Sequence, residues 1–466
     1  MKIKNLLLSL SLAGCCLNPA VMAADLLPTA NKRSIGDGQP VAQPVKSIGD
    51  GGKSIGDTPS LRAPIPAFPA VATRSRTTIS DAGIIAPTAF ATGTCDSGGA
   101  CDTGSACDLA SACNTCRPST WFGAESLLWF GQKQEAPPII TTAPMTTVPI
   151  AGNPGVTTQF GGEDGIDFGL LPGFRLSGGR YLDACQKIGV GGRIYGILPA
   201  QSDYSITSNN GDPSVGLPFF NADPNVLADS AQLIAYHDGN QLQWSGSATV
   251  RADMEMYGSD GSLHLLLARS CDHRVDMLAG YTYNNLKSSI DLRTTRVNSF
   301  TGDLIPDGTI FRSTDLFETE NEFNGAHLGI LSSVVRNRMT FNTLAKVSFG
   351  NMHQWGQIAG SSEQEFGGTV TPGSGGFFAQ PSNIGSFSRN RFAFIPELGI
   401  NAAYCIRPNV KLSVGYTFMY WSSVALAGEQ MSSIVDPTQT VSQPSPTNAI
   451  GSYWMQGIDL GTTITF

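Results

Sequence analysis

From Trp121 onward, apolar and polar side chains alternate in long runs, the two-residue period of strands whose two faces meet different surroundings. The end of the chain shows it plainly. Ile458, Leu460, Ile464 and Phe466 fall on one face, and Gly457, Asp459, Gly461, Thr463 and Thr465 on the other. About ten such segments follow one another, near 121–131, 172–183, 188–202, 242–257, 273–294, 316–335, 338–352, 387–404, 409–424 and 452–466. Their connections alternate between long and short: 132–171, 184–187, 203–241, 258–272, 295–315, 336–337, 353–386, 405–408 and 425–451. A transmembrane barrel has this rhythm, with long loops on one side of the membrane and tight turns on the other. An even strand count also returns the C-terminus to the side of the N-terminus.

Composition narrows the picture. Charged residues make up 14%, glycine is abundant at 53 residues and mean hydropathy is -0.02, as expected where apolar and polar positions interleave. Lys2 and Lys4, the apolar run Leu6 to Leu17 and the small-residue site Val21-Met22-Ala23 make residues 1–23 a secretory signal peptide. A second reading stands beside it: Leu12-Ala13-Gly14-Cys15 resembles a lipoprotein box, which would acylate Cys15. Beyond the leader there is no run of about 18 apolar residues, so a membrane-embedded chain has to close into a barrel. The net charge of -8 is modest for 466 residues and argues against a nucleic-acid partner.

Residues 24–118 differ in kind. They are rich in Pro, Gly, Ala, Ser and Thr, with too little apolar surface to offset the cost of ordering the backbone, and they read as a low-complexity periplasmic tail. Ser-Ile-Gly-Asp recurs at 34–37, 47–50 and 54–57. Gly49-Asp50-Gly51-Gly52-Lys53-Ser54 mimics a phosphate-binding loop but lacks the first glycine, because residue 47 is Ser. Cys95, Cys101, Cys107 and Cys113 recur every six residues, and Cys116 closes a Cys-x-x-Cys. That spacing suits neither a zinc site nor haem attachment, so disulfides are the expectation in an oxidising compartment. Cys185, Cys271 and Cys405 sit in or beside three of the four short turns, which would place eight candidate disulfide cysteines on one side.

Two resemblances sharpen the reading. The terminal pattern Asp459-x-Gly461-x-x-Ile464-x-Phe466 resembles the signal by which bacterial barrels are passed to their assembly machinery. Across about 121–466, several ordered motifs resemble the planctomycete-type putative beta-barrel porin family. They are Trp121-Phe-Gly-Ala-Glu-Ser-Leu-Leu-Trp-Phe130, Leu182-Asp-Ala-Cys185, Pro381-Ser-Asn-Ile-Gly385, Arg391-Phe-Ala-Phe-Ile-Pro-Glu-Leu-Gly399, Val414-Gly-Tyr-Thr-Phe-Met-Tyr-Trp-Ser422 and Trp454-Met-Gln-Gly457. The match departs at Ser126, where an aromatic is expected, and the tail lies outside it. The resemblance implies an all-β antiparallel barrel in an outer membrane, with lipid and the assembly machinery as partners.

With the apolar face outward, alternation points Glu125, Arg175, Arg193, Arg251, Asp253, Glu255, Asp276, Lys346, Arg389, Arg391, Glu397, Lys411 and Asp459 into the lumen. A barrel of about ten strands is little wider than one that side chains fill, so a narrow or plugged lumen follows. Glu318, Glu320 and Glu322 share parity with Ala326, Leu328 and Ile330; they are expected above the lipid, with Thr319, Asn321, Phe323, Gly325 and His327 facing inward. Trp129, Phe130, Tyr281, Tyr283, Tyr416, Phe418, Tyr420, Trp421, Tyr453 and Trp454 are expected to form an interfacial girdle. Among His237, His264, His273, His327 and His353 only His237 adjoins a carboxylate, Asp238, and no nucleophile elbow accompanies it. No catalytic residue, metal or cofactor is expected. Two non-enzymatic functions remain, a porin with a narrow or plugged lumen or a non-conducting structural or display barrel cross-linked to envelope proteins through its cysteine tail; an outer-membrane hydrolase is the remote alternative.

Overall fold

The computed structural model describes residues 119–300 and 305–466. The expectations for residues 1–118, namely the leader, the low-complexity tail and Cys95, Cys101, Cys107, Cys113 and Cys116, lie outside the described residues.

Ten strands close into one antiparallel ring. In chain order the strands are β1 (Thr120–Gly131), β2 (Gln134–Ala143), β3 (Thr157–Ile166), β4 (Leu170–Tyr181), β5 (Ile188–Ser208), β6 (Ser214–Asn221), β7 (Ala228–His237), β8 (Leu242–Arg269), β9 (His273–Asn298), β10 (Ile310–Arg336), β11 (Met339–Phe366), β12 (Thr369–Ser374), β13 (Gly385–Arg407), β14 (Val410–Val424), β15 (Ile434–Val435) and β16 (Gly451–Thr465). The ring runs β1-β4-β5-β8-β9-β10-β11-β13-β14-β16 and back to β1. Register between β1 and β16 is continuous from Trp121↔Thr465 to Gly131↔Met455, so no edge is left open.

The short connections lie at one end of the ring, the turn end, together with Ser119 and Phe466, whose backbones pair. Two of these turns, Asn337-Arg338 and Pro408-Asn409, have only two residues between strands, and Asn337 takes a φ of +54°, a left-handed conformation that asparagine tolerates. The other end, the loop end, carries the additional strands. β3, β2, β6 and β7 form a second sheet that joins the barrel through β7 and β8, β15 adds to β6 in parallel, and β12 folds back along β11. These cap strands fall in segments read from sequence as loops.

One correction concerns 258–272. Gly258-Ser259-Asp260-Gly261-Ser262 has the composition of a turn, yet β8 runs straight through it and turns only at Ser270–Asp272. The segment stays in the sheet because both neighbours pair it, Asp260 against Arg193 on β5 and against Thr282 on β9.

β9, β10, β11 and β8 up to Leu266 change chemistry along their length without changing parity, whereas β5 shifts once, between Ile197 and Ala200. Near the turn end, outward positions are apolar and exposed on every ring strand, for example Phe122, Phe174, Ile194, Leu263, Leu328, Phe349, Leu398, Val414 and Ile458. That is the belt a barrel presents to hydrocarbon. A span needs about 9–11 residues, whereas β8 and β11 have 28 each. Their surplus stands above the belt, where the faces exchange roles. Ala248, Val250, Ala252, Ile290, Leu292 and Phe317 point inward and bury against cap residues Ile139, Ile140, Val215, Leu217, Ile234 and Phe378.

Consequently Arg251, Asp253 and Glu255 face outward, opposite to the expectation that they line the lumen. They form exposed pairs, Arg251 with Asp253 at 2.8 Å and Glu255 with Lys287 at 3.8 Å. Glu318, Glu320 and Glu322 lie on the same outer surface, with Thr319, Asn321, Phe323 and His327 buried inside. The aromatic girdle is also smaller than expected. Phe130 and Tyr281 face outward, but Trp129, Trp421 and Tyr453 point inward and are fully buried.

Candidate functional site

The lumen is the one feature to which all ten ring strands contribute. Midway along the belt, Arg193 of β5 places Nη1 and Nη2 at 2.6 and 2.5 Å from the two carboxylate oxygens of Glu397 on β13, and its Nε at 2.7 Å from Asp260 Oδ2 on β8. Lys346 of β11 closes the circuit, with Nζ at 2.8 Å from both Asp260 Oδ2 and Glu397 Oε2. The four charges alternate in sign. Lys346 and Glu397 are 4% and 1% exposed, so the whole circuit is withdrawn from water.

A second cluster fills the other side. Arg175 of β4 donates to Glu125 Oε2 on β1 at 2.9 Å, to Asp459 Oδ2 on β16 at 3.3 Å and to Thr417 Oγ1 on β14 at 3.2 Å. Asp459 also accepts from Trp129 Nε1 at 2.8 Å and from Thr417 Oγ1 at 2.5 Å. β9 and β10 supply neutral partners. His327 Nε2 lies 2.9 Å from Ser262 Oγ and its Nδ1 lies 2.8 Å from Thr282 Oγ1. Buried charges this well paired can remain ionised in a low-dielectric interior, because each has compensating partners within hydrogen-bond distance.

Directly beyond this polar layer, toward the loop end, lies an apolar one. It holds Leu127, Trp129, Leu171, Tyr195, Ile197, Met254, Met256, Leu286, Phe323, Met352, Ile395, Met419, Trp421, Tyr453 and Met455, all buried. Methionine suits such a space, since its unbranched chain fills irregular gaps. Tyr195 donates to Asn284 Oδ1 at 2.5 Å, and Gly258 makes room for that pair: a Cβ there would collide with both side chains.

Toward the turn end the lumen opens into a vestibule of about 320 Å3 lined by Trp121, Tyr181, His264, Arg274, Asp276, Asn342, Asn401 and Lys411. Arg274 grips Asp276 with two bonds of 2.6 and 2.7 Å and stacks over Tyr181 at 4.7 Å. Lys411 reaches Thr340 Oγ1 at 3.2 Å. Arg389 lies nearer the loop end and donates to Gln354 Oε1 and to the carbonyls of Asn448 and Ala449. Arg391 has inward parity but is exposed and makes no ion pair among the described residues.

Of the thirteen charges expected in the lumen, the structure thus gathers Glu125, Arg175, Arg193, Lys346, Glu397 and Asp459 into the polar layer. It puts Asp276 and Lys411 in the vestibule and Arg389 and Arg391 nearer the loop end. Asp260 and Arg274 went unnoticed in the sequence. Asp260 was hidden by its turn-like setting, although strict parity with Met256 and Ser262 would have revealed it.

The expected His237–Asp238 pair is a turn device: His237 Nδ1 accepts from Gly239 N, and Asp238 accepts from the backbone of Asn240 and Gln241 and from Gln243 Nε2. Ser262–His327 has hydrogen-bond geometry, but the third partner is a threonine and His327 is sealed from solvent. Among the described residues no cluster of His, Cys, Asp and Glu could hold a metal. Cys185, Cys271 and Cys405, all at the turn end, are disulfide-bonded.

Comparison with known proteins gives one family. Residues 121–466 match the family described as Putative beta barrel porin-7. No curated protein matches. Among solved structures, the outer membrane protease OmpT from Escherichia coli is 12% identical with a TM-score of 0.37, covering 75% of this chain and 97% of that one. The P. putida toluene transporter TodX and the Ralstonia pickettii toluene transporter TbuX are each 10% identical with a TM-score of 0.17, covering 75% of this chain and 90% of theirs.

Proposed function

The chain belongs to the Putative beta barrel porin-7 family, and from that premise we propose that it is an outer-membrane porin-type barrel whose lumen is plugged at rest. The observation that carries this reading is the Arg193–Glu397 pair, which bridges strands on opposite sides of the ring. The apolar layer behind the pair adds a second barrier, since an ion crossing it would shed its hydration without finding replacement ligands. In this reading the turns and both strand ends of the barrel face the periplasm, and the cap faces outward. The barrel has no catalytic role and uses no cofactor; its partners are outer-membrane lipid and the assembly machinery, which reads the C-terminal strand.

Single-channel recording of the purified protein in planar bilayers tests it. The wild type is expected to stay silent or show only small, rare openings. Steady large conductance from the wild type would overturn the plugged reading. Permanent silence even after the Arg193–Glu397 bridge is removed would favour a structural or display barrel instead.

A further inference from the structure

Arg296, near the loop end of β9, lies against an edge-to-face aromatic pair, 4.5 Å from the Trp244 centroid and 5.0 Å from that of Phe311. These ring contacts satisfy the cation's attraction to aromatic faces but supply no hydrogen-bond acceptor for its N–H groups. Among the described residues Arg296 has no hydrogen-bond acceptor and no ion pair. Burial without a counterion pushes its pKa down to about 10, so it remains protonated at neutral pH while lacking the partner a buried cation ordinarily has.

The guanidinium opens into a cavity of about 320 Å3 between the inner face of β9–β11, the folded-back β12 and β7 of the cap. The opposite wall carries Gln232, whose buried Oε1 is also without a donor. The lining also carries the hydroxyls of Thr371 and of Ser313, the latter 2.7 Å from Thr294 Oγ1. At the rim Arg312 is tied to both Glu363 and Glu365 at 2.9 Å each, which leaves one net negative charge there. The pocket therefore presents unfilled donors on one wall, an unfilled acceptor on the other and hydroxyls in its lining.

We propose that this loop-end pocket binds a single acidic sugar residue, a hexuronate, whose carboxylate docks on Arg296 and whose hydroxyls donate to Gln232. A carboxylate alone would leave Gln232 unsatisfied, and a neutral sugar would leave Arg296 unsatisfied. One sugar ring fits a cavity at the small end of the range typical of ligand pockets, about 300–1,000 Å3. The site is separate from the lumen plug and does not depend on whether the barrel conducts.

The test uses the full-length protein in detergent, with Trp fluorescence and calorimetry as readouts and galacturonate, galactose, acetate and sulfate as probes. Galacturonate is expected to bind saturably, at least tenfold more tightly than each of the other three. Arg296→Gln should weaken galacturonate at least tenfold. Gln232→Leu, which leaves the cation in place, should weaken galacturonate while leaving acetate unchanged; it also serves if Arg296→Gln fails to fold. No galacturonate binding, equal binding of galactose or sulfate, or undiminished binding in both variants would each overturn the proposal.

Discussion

Arg193 and Glu397 meet as a two-pronged pair at 2.6 and 2.5 Å although their strands, β5 and β13, stand five steps apart in either direction around the ring. The bridge ties opposite walls of the barrel together at the level of the belt, and Lys346 and Asp260 lock it from the sides.

Glu397→Gln should therefore destabilise the barrel, by about 3–5 kcal/mol, because it leaves two buried cations, Arg193 and Lys346, sharing the single carboxylate of Asp260. A double change, Arg193→Met with Glu397→Gln, should be milder than the single one. Arg391→Gln should be neutral, since Arg391 is exposed and unpaired among the described residues. The temperature at which the folded band disappears on unheated gels measures all three. Conductance should rise in the bridge variants and not in Arg391→Gln.

Removal of Phe466 should depress insertion far more than it weakens the assembled barrel. Its ring is 68% exposed, so its burial contributes well under the roughly 1.5–3 kcal/mol of a fully buried side chain. The backbone of the last residue does matter, pairing with Ser119 and Thr120. Pulse labelling of membranes, compared with thermal stability of the protein that does insert, separates the two effects. Equal insertion rates would refute the signal.

Acid should tighten the cap. Asp315 is buried at the loop end, where its Oδ1 accepts from Ala379 N at 2.6 Å. Burial raises its pKa to about 6 from 3.8, against the opposing pull of the backbone N–H groups of Ala379, Phe377 and Phe378. A carboxyl whose folded pKa is raised binds its proton more tightly in the folded state. Its contribution is thus fully present below about pH 3.8 and is lost as pH rises through about 6. The difference is on the order of 2–3 kcal/mol. Asp315→Asn should flatten that dependence, as read by protease resistance of the cap between pH 4 and 7.

The bonded Cys185, Cys271 and Cys405 lead to a fourth expectation, that the tail cysteines Cys95, Cys101, Cys107, Cys113 and Cys116 are oxidised and tether the tail to the turn end, a neighbouring subunit or another envelope protein. Mass spectrometry after alkylating unreduced outer membranes checks it. Eight free thiols, or stoichiometric zinc, would count against cross-linking.

The ring of ten strands was legible because lipid and lumen impose opposite chemistry on alternate residues, and β1, β4, β14 and β16 lie almost wholly inside that regime. The same rule misassigned Arg251, Asp253 and Glu255. Outside the bilayer, water bathes the outer surface and the cap supplies an apolar interior, so the rule inverts while the period stays fixed. Trp129, Trp421 and Tyr453 were misplaced for a related reason, since a plugged lumen offers aromatics a dry interior as attractive as the membrane edge. The cap strands β2, β3, β6 and β7 were missed because each is short and all but β7 are Gly- or Pro-interrupted, as in Gly161-Gly162 and Pro137-Pro138.

The exchange of faces along β8 also acts as a waterline. Tyr257 sits at the crossing, its ring 6.2 Å from that of Tyr283 on β9; Leu263 lies below it on the outer surface and Glu255 directly above. Sinking the barrel by a single outward position, about 7 Å of strand, would draw Glu255 toward the hydrocarbon, with Lys287 and Glu320 on the neighbouring strands. Raising it by the same step would lift apolar side chains into water. The protein's depth in the membrane is thereby written into the strands themselves, and a bilayer of the wrong thickness must deform to meet it.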